Sequence, residues 1–134
     1  MGYCMTQRDS MFTIKAENTK EALNAIKELA GSETIEDSGG RHFSWVDNNY
    51  VNAETLEDAL RAWRWIVEPD GNGDINYIYF NGEKLGDDEV LFNALAPFID
   101  DDCFIEMSGE DGALWRWCFE NGECKERFAN ISWE

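Results

Sequence analysis

The chain has 134 residues, of which 11 are Lys or Arg and 28 are Asp or Glu, so its formal net charge is −17 at pH 7. Hydrophobic residues make up 43% of it and aromatic residues 13%, which is enough apolar surface to order one domain over residues 1–134 and excludes intrinsic disorder. The negative charge repels phosphate groups and anionic membranes, which disfavours direct binding of nucleic acid and favours a basic protein partner.

No stretch contains the ~18 to 20 successive apolar residues of a membrane span, and residues 1–10 lack the apolar run of a signal peptide. We therefore expect no association with a membrane and a cytoplasmic location. The acidity can also serve only to keep a small protein soluble, because net charge governs solubility and association and does not define a site.

The four cysteines do not form any Cys-x-x-Cys pair. They lie at Cys4, Cys103, Cys118 and Cys124, while the one histidine, His42, is remote from all of them in the sequence. Zinc sites place thiolates and imidazoles at short, regular spacings, so this pattern predicts no metal and no other cofactor. We expect four reduced thiols that are mostly buried.

The first third of the chain is predicted to hold a hairpin and a helix. Two β-like runs, 2–6 and 11–16, flank the polar sequence Gln-Arg-Asp-Ser, which favours an opening hairpin. A helix then begins at Asn18, which is placed to cap it while Glu21 reaches back in a capping box. The apolar positions of this helix recur with helical spacing until Gly31 ends it, and they are Ala22, Leu23, Ile26, Leu29 and Ala30.

The middle of the chain alternates strands with a second helix. Residues 41–46 alternate as a strand, and Asn52 is the expected N-cap of the helix that follows it. The first turn of that helix is acidic, and its apolar stripe consists of Leu56, Ala59, Leu60 and Trp63. Residues 65–67 and 75–80 then predict a hairpin around the turn Glu-Pro-Asp-Gly-Asn-Gly-Asp.

A third helix and a meander complete the predicted elements. Asp87 is the expected cap of the helix, and Pro97 marks its end. The buried stripe of this helix is predicted to be Leu91, Ala94, Leu95 and Phe98. Strands over 103–108, 113–120 and 123–132 follow, joined by Gly-Glu-Asp-Gly and by Asn-Gly, which is a strong signal for a two-residue hairpin.

The order of elements predicts an α+β fold. Residues 42–107 follow the pattern strand, helix, strand, strand, helix, strand, which is the split βαβ pattern of ferredoxin-like folds. We expect a ferredoxin-like core in which three helices cover one face of a largely antiparallel sheet, with the three-stranded meander at the C-terminal end.

The Asn121-Gly122 turn fixes the register of the last hairpin and divides its residues between two faces. One face carries the large apolar side chains Trp115, Trp117, Phe119, Cys124 and Phe128, and Glu120 pairs with Glu123. The opposite face carries Leu114, Arg116 and Cys118, and we place Cys103, Ile105 and Met107 on it as well. We expect the aromatic face to be the core, and the alternative is that it faces outward as a dimer or partner interface.

Two possible catalytic or metal sites are disfavoured by their spacing. Residues 70–74 resemble the start of a calcium loop, but Ile75 stands where that loop needs glycine and Asn81 where it needs a bidentate glutamate, so a hairpin turn is favoured. His42, Ser44 and Asp47 lack a nucleophile elbow and an oxyanion motif, so a hydrolytic role is disfavoured too.

Three groups of carboxylates are the candidate partner-binding residues. They are Asp87, Asp88 and Glu89, then Asp100, Asp101 and Asp102, and finally Glu110 and Asp111. Acids at turns and helix starts also cap helices and solubilise a chain without any partner. Spaced along a surface, they can imitate a phosphate array and occupy the basic groove of a nucleic-acid-binding protein.

Residues 109–123, Gly-Glu-Asp-Gly-Ala-Leu-Trp-Arg-Trp-Cys-Phe-Glu-Asn-Gly-Glu, carry a resemblance together with the small size and extreme acidity of the chain. In these respects the chain resembles the small acidic proteins of phages and mobile elements, including anti-CRISPR inhibitors and similar antagonists of host defence, and also uncharacterised gut-bacterial proteins. The resemblance extends over the whole chain in composition and assigns no role to any single residue.

We expect a non-enzymatic acidic binding protein that engages and inhibits a basic, nucleic-acid-handling protein, as a monomer or a homodimer. One alternative is an immunity protein that neutralises a cationic toxin, which needs the same kind of surface. Another is a small ferredoxin-like enzyme or ligand-binding module, which would need a concave pocket with convergent polar groups.

Overall fold

The computed structural model describes residues 3–29 and 46–129, and within these ranges the chain is a mixed α+β fold. Its α-helices are α1 (Thr19–Glu28), α2 (Leu56–Ala62) and α3 (Asp88–Leu95). Its strands are β1 (Met5–Met11), β2 (Trp65–Pro69), β3 (Ile75–Phe80), β4 (Cys103–Gly109), β5 (Leu114–Glu120) and β6 (Glu123–Phe128). None of the helices in the described ranges is both long and apolar enough to cross a membrane.

The described strands form two antiparallel sheets that meet along β1. The larger sheet has the order β1-β4-β5-β6, and β2 pairs with β3 in the smaller one. A single bridge between Ile14 and Ile75 links the chain after β1 to β3. The side chain of Gln7 reinforces this link, because its Nε2 donates to the carbonyl of Ile78 at 2.9 Å and its Oε1 accepts from the amide of Phe80 at 2.6 Å.

The predicted opening hairpin is wrong, because β1 runs through the polar Gln-Arg-Asp-Ser sequence as one strand. β1 is an edge strand of the larger sheet, where polar side chains can point to solvent without breaking the ladder. The polar residues produce only a bulge between Gln7 and Asp9 in the pairing with β4. A polar run therefore marks an exposed edge here instead of a turn.

The helices lie where the apolar spacing predicts them, but their caps differ in part. Asn18 precedes α1 as expected, yet its side chain makes no capping hydrogen bond. The predicted cap of α2 at Asn52 is wrong, because residues Asn48–Asn52 form a 3₁₀ helix and Thr55 caps α2 by accepting from the amide of Asp58 at 3.2 Å. Asp87 precedes α3 at the predicted cap position, but its side chain makes no capping hydrogen bond.

The meander confirms the register that the Asn-Gly turn predicts. Asn121 and Gly122 have φ values of 53° and 77°, the left-handed conformation that a tight two-residue hairpin turn requires at both positions. Glu120 pairs with Glu123, and Trp115 pairs with Phe128. β6 ends at Phe128 within the described residues, while the end of the predicted strand, 130–132, lies outside them.

The placement of β4 relative to the aromatic face is a correction. Ser108 pairs with Leu114 and Met107 with Trp115, so five residues, 109–113, lie between the paired positions Ser108 and Leu114. Because side chains alternate between faces, this length puts Cys103, Ile105 and Met107 on the aromatic face of β5 and not opposite to it. All the large buried side chains of β4 and β5 therefore point to one side of the sheet.

The aromatic face of β5 is the core, as expected. Trp117 is 1% exposed and packs against Trp65 of β2 and Phe92 of α3, with ring centroids 6.2 and 5.1 Å away. Trp115 and Phe119 are buried beside it. Phe128 belongs to the same face but is 63% exposed, because β6 is the edge of the sheet.

The ferredoxin-like arrangement stays a prediction. Residues 41–45 of its first strand lie outside the described residues, and Val46 is not in a strand. Its predicted last strand, β4, pairs with β1 on one side and β5 on the other. The predicted end of the first helix at residues 30 and 31 also lies outside the described ranges.

Replacing Trp117 by alanine is expected to lower the free energy of unfolding by about 3 to 5 kcal/mol, because it removes a buried indole and leaves a cavity between β5, β2 and α3. Phe128→Ala is the matched control on the same sheet face, and we expect a change of about 0.5 kcal/mol or less there. Denaturant unfolding at low protein concentration measures both. Equal midpoints for Trp117→Ala and the wild type would contradict the assignment of this face to the core.

Candidate partner-binding surface

The structure removes Asp88 from the predicted partner surface, because this carboxylate is fully buried. It pairs with the guanidinium of Arg64 at 3.0 Å and accepts hydrogen bonds from the indole of Trp65 at 2.9 Å and the amide of Gly86 at 3.0 Å. A buried carboxylate is tolerated only with such compensation. Asp88 therefore joins the start of α3 to the start of β2 and does not face a partner.

Arg64 is held in an unusual conformation to serve this ion pair. Its φ is 74°, in the left-handed region that side-chain-bearing residues rarely adopt. Its guanidinium donates to the carbonyl of Lys84 and lies 5.2 Å from the ring centroid of Phe80. The surroundings therefore hold this backbone strain in place with an ion pair, a hydrogen bond and a cation–π contact.

Four carboxylates meet at one end of the larger sheet, and we call them the acidic tip: Asp101, Asp102, Glu120 and Glu123. Asp101 lies against the β5–β6 turn, since its carboxylate accepts from the amide of Asn121 at 2.8 Å. The amide of Asp102 donates to the carbonyl of Phe119 at 3.1 Å. All four residues are exposed, and among the residues described here none of them is in an ion pair.

The acidic tip carries unfavourable local energetics. Glu120 and Glu123 are directly paired across the hairpin, and like charges in that position destabilise a sheet. Asp102 has a φ of 68°, which also costs free energy for a residue with a side chain. The opposed glutamates do not stabilise the fold, so folding alone does not explain this part of the acidic surface.

Glu110 and Asp111 lie at the opposite end of the sheet. β4 separates them from the acidic tip by six residue steps, or about 20 Å at the rise of an antiparallel strand. The carboxylate of Glu110 accepts from the amide of Cys4 at 2.8 Å, and that of Asp111 accepts from the hydroxyl of Tyr3 and from the amide of Ala113 at 3.1 Å. The predicted acids are thus divided between two separate places.

Tyr3 and Asp111 shift one another's titration. The hydrogen bond from Tyr3 lowers the pKa of Asp111, and the amide of Ala113 adds to this effect. The same bond raises the pKa of Tyr3 to about 12, with desolvation and the negative charge of Asp111 acting in the same direction. Asp111 is therefore ionised and Tyr3 neutral throughout the physiological pH range.

The three remaining predicted acids are dispersed. Asp100 forms an ion pair with Lys15 at 3.4 Å, and Asp87 is half-buried at the start of α3. Glu89 is exposed on α3 and faces β6, where burial first and the charge of Glu89 second raise the pKa of Cys124 to about 12. None of the three belongs to the acidic tip.

The calcium-like loop and the hydrolytic set, both disfavoured by the sequence, each contain an aspartate that has a structural role. Asp70 organises the β2–β3 turn by accepting from the amides of Asn72 at 2.8 Å and Asp74 at 3.1 Å, which confirms the predicted hairpin turn. Asp47 accepts from the amide of Asn49 at 2.9 Å at the start of a 3₁₀ helix. The structure does not describe residues 42 and 44, so the predictions for the histidine and serine there remain untested.

The partner-binding residues predicted from the sequence do not include Glu120 and Glu123. The sequence does indicate that these two glutamates are neighbours, because the register set by the Asn-Gly turn pairs them beside it. Their proximity to Asp101 and Asp102 depends on the loop before β4 folding against the β5–β6 turn, which is a contact between residues 20 positions apart in sequence.

Comparison with protein-family models, with curated proteins and with solved structures finds no match to this chain.

Asp88→Ala is expected to lower the free energy of unfolding by about 3 to 5 kcal/mol, because it leaves the guanidinium of Arg64 without its buried counter-ion. Glu89→Ala, one position along the same helix, is the control and should change it by about 0.5 kcal/mol or less. Thermal or denaturant unfolding compares the two variants. Equal stabilities would show that Asp88 is not held as described.

Tyr3→Phe is expected to raise the pKa of Asp111 toward that of an ordinary aspartate, because the largest cause of its depression is the lost hydrogen bond. A depressed carboxyl pKa adds stability above the unfolded pKa and loses it as pH falls through the folded pKa. The wild type should therefore exceed Tyr3→Phe in stability near neutral pH, and this difference should shrink in acid. Carboxyl NMR titration measures the pKa of Asp111, with Tyr77→Phe as the control. An unchanged pKa of Asp111 in Tyr3→Phe would contradict the hydrogen bond as the main cause of the depressed pKa.

Proposed function

We propose that the protein is a non-enzymatic, cytoplasmic binding protein that engages and inhibits a basic, nucleic-acid-handling protein by presenting carboxylates in place of phosphates. The observation that carries the proposal is the acidic tip, in which four exposed carboxylates gather around one turn without a basic partner in the described residues. The net charge of −17 adds a long-range field that steers a basic surface toward it.

The arrangement of the tip suits a phosphate imitation. Glu120 and Glu123 stand side by side on paired strands, and Asp101 and Asp102 lie next to their turn, so the negative charges are grouped at one end of the sheet. An exposed group of carboxylates is complementary in charge to a basic groove built for a nucleic-acid backbone. The unfavourable pairing of the two glutamates is then maintained because the partner's positive charges relieve it on binding.

Two biological settings would require an acidic surface of this kind. Inhibition of a host-defence nuclease, as in the anti-CRISPR proteins that the chain resembles in composition, and neutralisation of a cationic toxin by an immunity protein demand the same surface chemistry. The ferredoxin-like arrangement of residues 42–107 remains a prediction, and the proposed function does not depend on it.

A variant that neutralises the tip, Asp102→Asn with Glu120→Gln and Glu123→Gln, tests the proposal. We expect it to bind the heparin-retained basic proteins of a bacterial lysate at least about tenfold less tightly than the wild type. The wild type should itself lose most of this binding between about 50 mM and about 500 mM salt, because salt screens exposed charges. The stability of the variant should be equal or higher by about 0.2 to 1 kcal/mol, since the opposed glutamates no longer repel.

The control variant removes the same number of charges elsewhere, through Glu17→Gln, Glu28→Gln and Glu68→Gln, at three exposed positions on other elements. It should retain most of the binding, because its acidic tip is intact although its total charge differs from the wild type by as much as that of the tip variant. Equal losses in both variants would show that only net charge acts. Binding that does not respond to salt would contradict a mechanism based on carboxylates.

A further inference from the structure

At the end of the sheet remote from the acidic tip lies a cavity of about 320 Å³ with aromatic walls. Three rings, those of Tyr3, Trp115 and Phe128, line it together with the carboxylates of Asp111 and Glu126. The ring centroid of Trp115 lies 6.2 Å from that of Tyr3 and 6.4 Å from that of Phe128. We call this the aromatic pocket.

Tyr3 has a defined place in the aromatic pocket because of a glycine. A Cβ atom at Gly109 would lie 1.5 Å from the hydroxyl oxygen of Tyr3 and 2.3 Å from its Cζ atom, so the ring rests directly on the glycine backbone. The hydroxyl is anchored in turn by its hydrogen bond to Asp111. Gly109 and Asp111 therefore fix one wall of the pocket before any ligand arrives.

The opposite wall of the aromatic pocket is formed by Phe128, whose side chain is not part of the buried core. Phe128 is 63% exposed at the edge of the sheet, although it points to the same face as the buried Trp115. Glu126, two residues earlier on β6, is also exposed and is not in an ion pair within the described part of the chain. The ring of Phe128 and the carboxylate of Glu126 are both accessible from solvent, so both are available to a ligand in the aromatic pocket.

The lining determines the class of ligand. Lysine, arginine and histidine are not among the lining residues, and Asp111 is held ionised by its hydrogen bonds, so anions are repelled. Aromatic faces attract cations, and a planar guanidinium can stack on a ring while its N–H groups donate to a carboxylate. A purely apolar ligand would displace water from Asp111 and Glu126 without supplying a hydrogen-bond donor or a positive charge in its place.

We propose that the aromatic pocket takes one arginine side chain of the basic partner. This inference rests on the proposed function, because it supplies that partner's anchor. Tyr3, Trp115 and Phe128 surround the guanidinium, and Asp111 and Glu126 neutralise its charge. With the acidic tip about 20 Å away along β4, the partner is held at two points, one charged and exposed and the other aromatic and recessed.

The test uses the full-length, ¹⁵N-labelled chain and Nα-acetyl-arginine amide as the probe, followed by NMR through the indole N–H of Trp115. The neutral control is Nα-acetyl-citrulline amide, which has nearly the same shape without the charge. We expect a saturable shift with the arginine probe and at least about tenfold weaker binding of the citrulline probe. Equal binding of the two probes, or no saturable shift with either, would overturn the inference.

Variants localise the effect to the aromatic pocket. Phe128→Ala and Glu126→Gln should each weaken binding of the arginine probe several-fold, and Gly109→Ala should do so by displacing the ring of Tyr3. Tyr79→Ala and Glu68→Gln are the matched controls at exposed positions on the smaller sheet, and both should bind as the wild type does. Wild-type binding by Phe128→Ala would refute the pocket.

This titration is independent of the salt-dependent capture that tests the proposed function, because the probe contains no partner protein. Loss of the pocket with retained capture would leave the acidic tip as the only binding site. Retained arginine binding without capture would instead refute the proposed partner.

Discussion

The packing of Trp117 against Trp65 and Phe92 is the interaction on which the rest of the structure depends. It joins three parts of the chain, the larger sheet, the β2–β3 hairpin and α3, through rings that are fully or almost fully buried. The buried pair of Arg64 and Asp88 lies beside it, and the indole of Trp65 donates to the same carboxylate. One aromatic cluster thus sets both the apolar core and the placement of the single carboxylate that the described core contains.

This core restricts where an acidic chain can place its charge. The inner face of the larger sheet is filled by Ile105, Met107 and the aromatic residues of β5. The carboxylates of this sheet therefore lie at its ends, on its edge strands or, as Glu106 does, on its outer face beside Arg116. Some carboxylates of the chain are used by the fold, as Asp70 is in its turn and Asp111 in its bond to Tyr3. The acidic tip differs because it groups four exposed carboxylates and opposes Glu120 to Glu123 at a cost in stability, and this is why the tip supports a binding role.

The two proposed contact points differ in the physics that they offer a partner. The acidic tip provides charge on an exposed surface, which accelerates association and is screened by salt. The aromatic pocket provides rings together with the carboxylates of Asp111 and Glu126, which slow dissociation because the bound cation loses water on entry. Tyr3 and Phe128 reach the pocket from strand ends distant in sequence, so the site exists only once β1, β4, β5 and β6 are assembled.

Short-range patterns in the sequence determined the α+β class, the three helices and the register of the last hairpin, because apolar spacing and the Asn121-Gly122 turn act over a few residues. Tertiary structure decided the continuity of β1, the face to which β4 belongs and the burial of Asp88. The first and the last depend on a partner distant in sequence, which is β4 for β1 and the guanidinium of Arg64 for Asp88. The second depends on the odd number of residues between the paired positions Ser108 and Leu114. The sequence therefore determined how many acidic residues the protein has, but tertiary contacts that no local pattern encodes decided which of them face solvent.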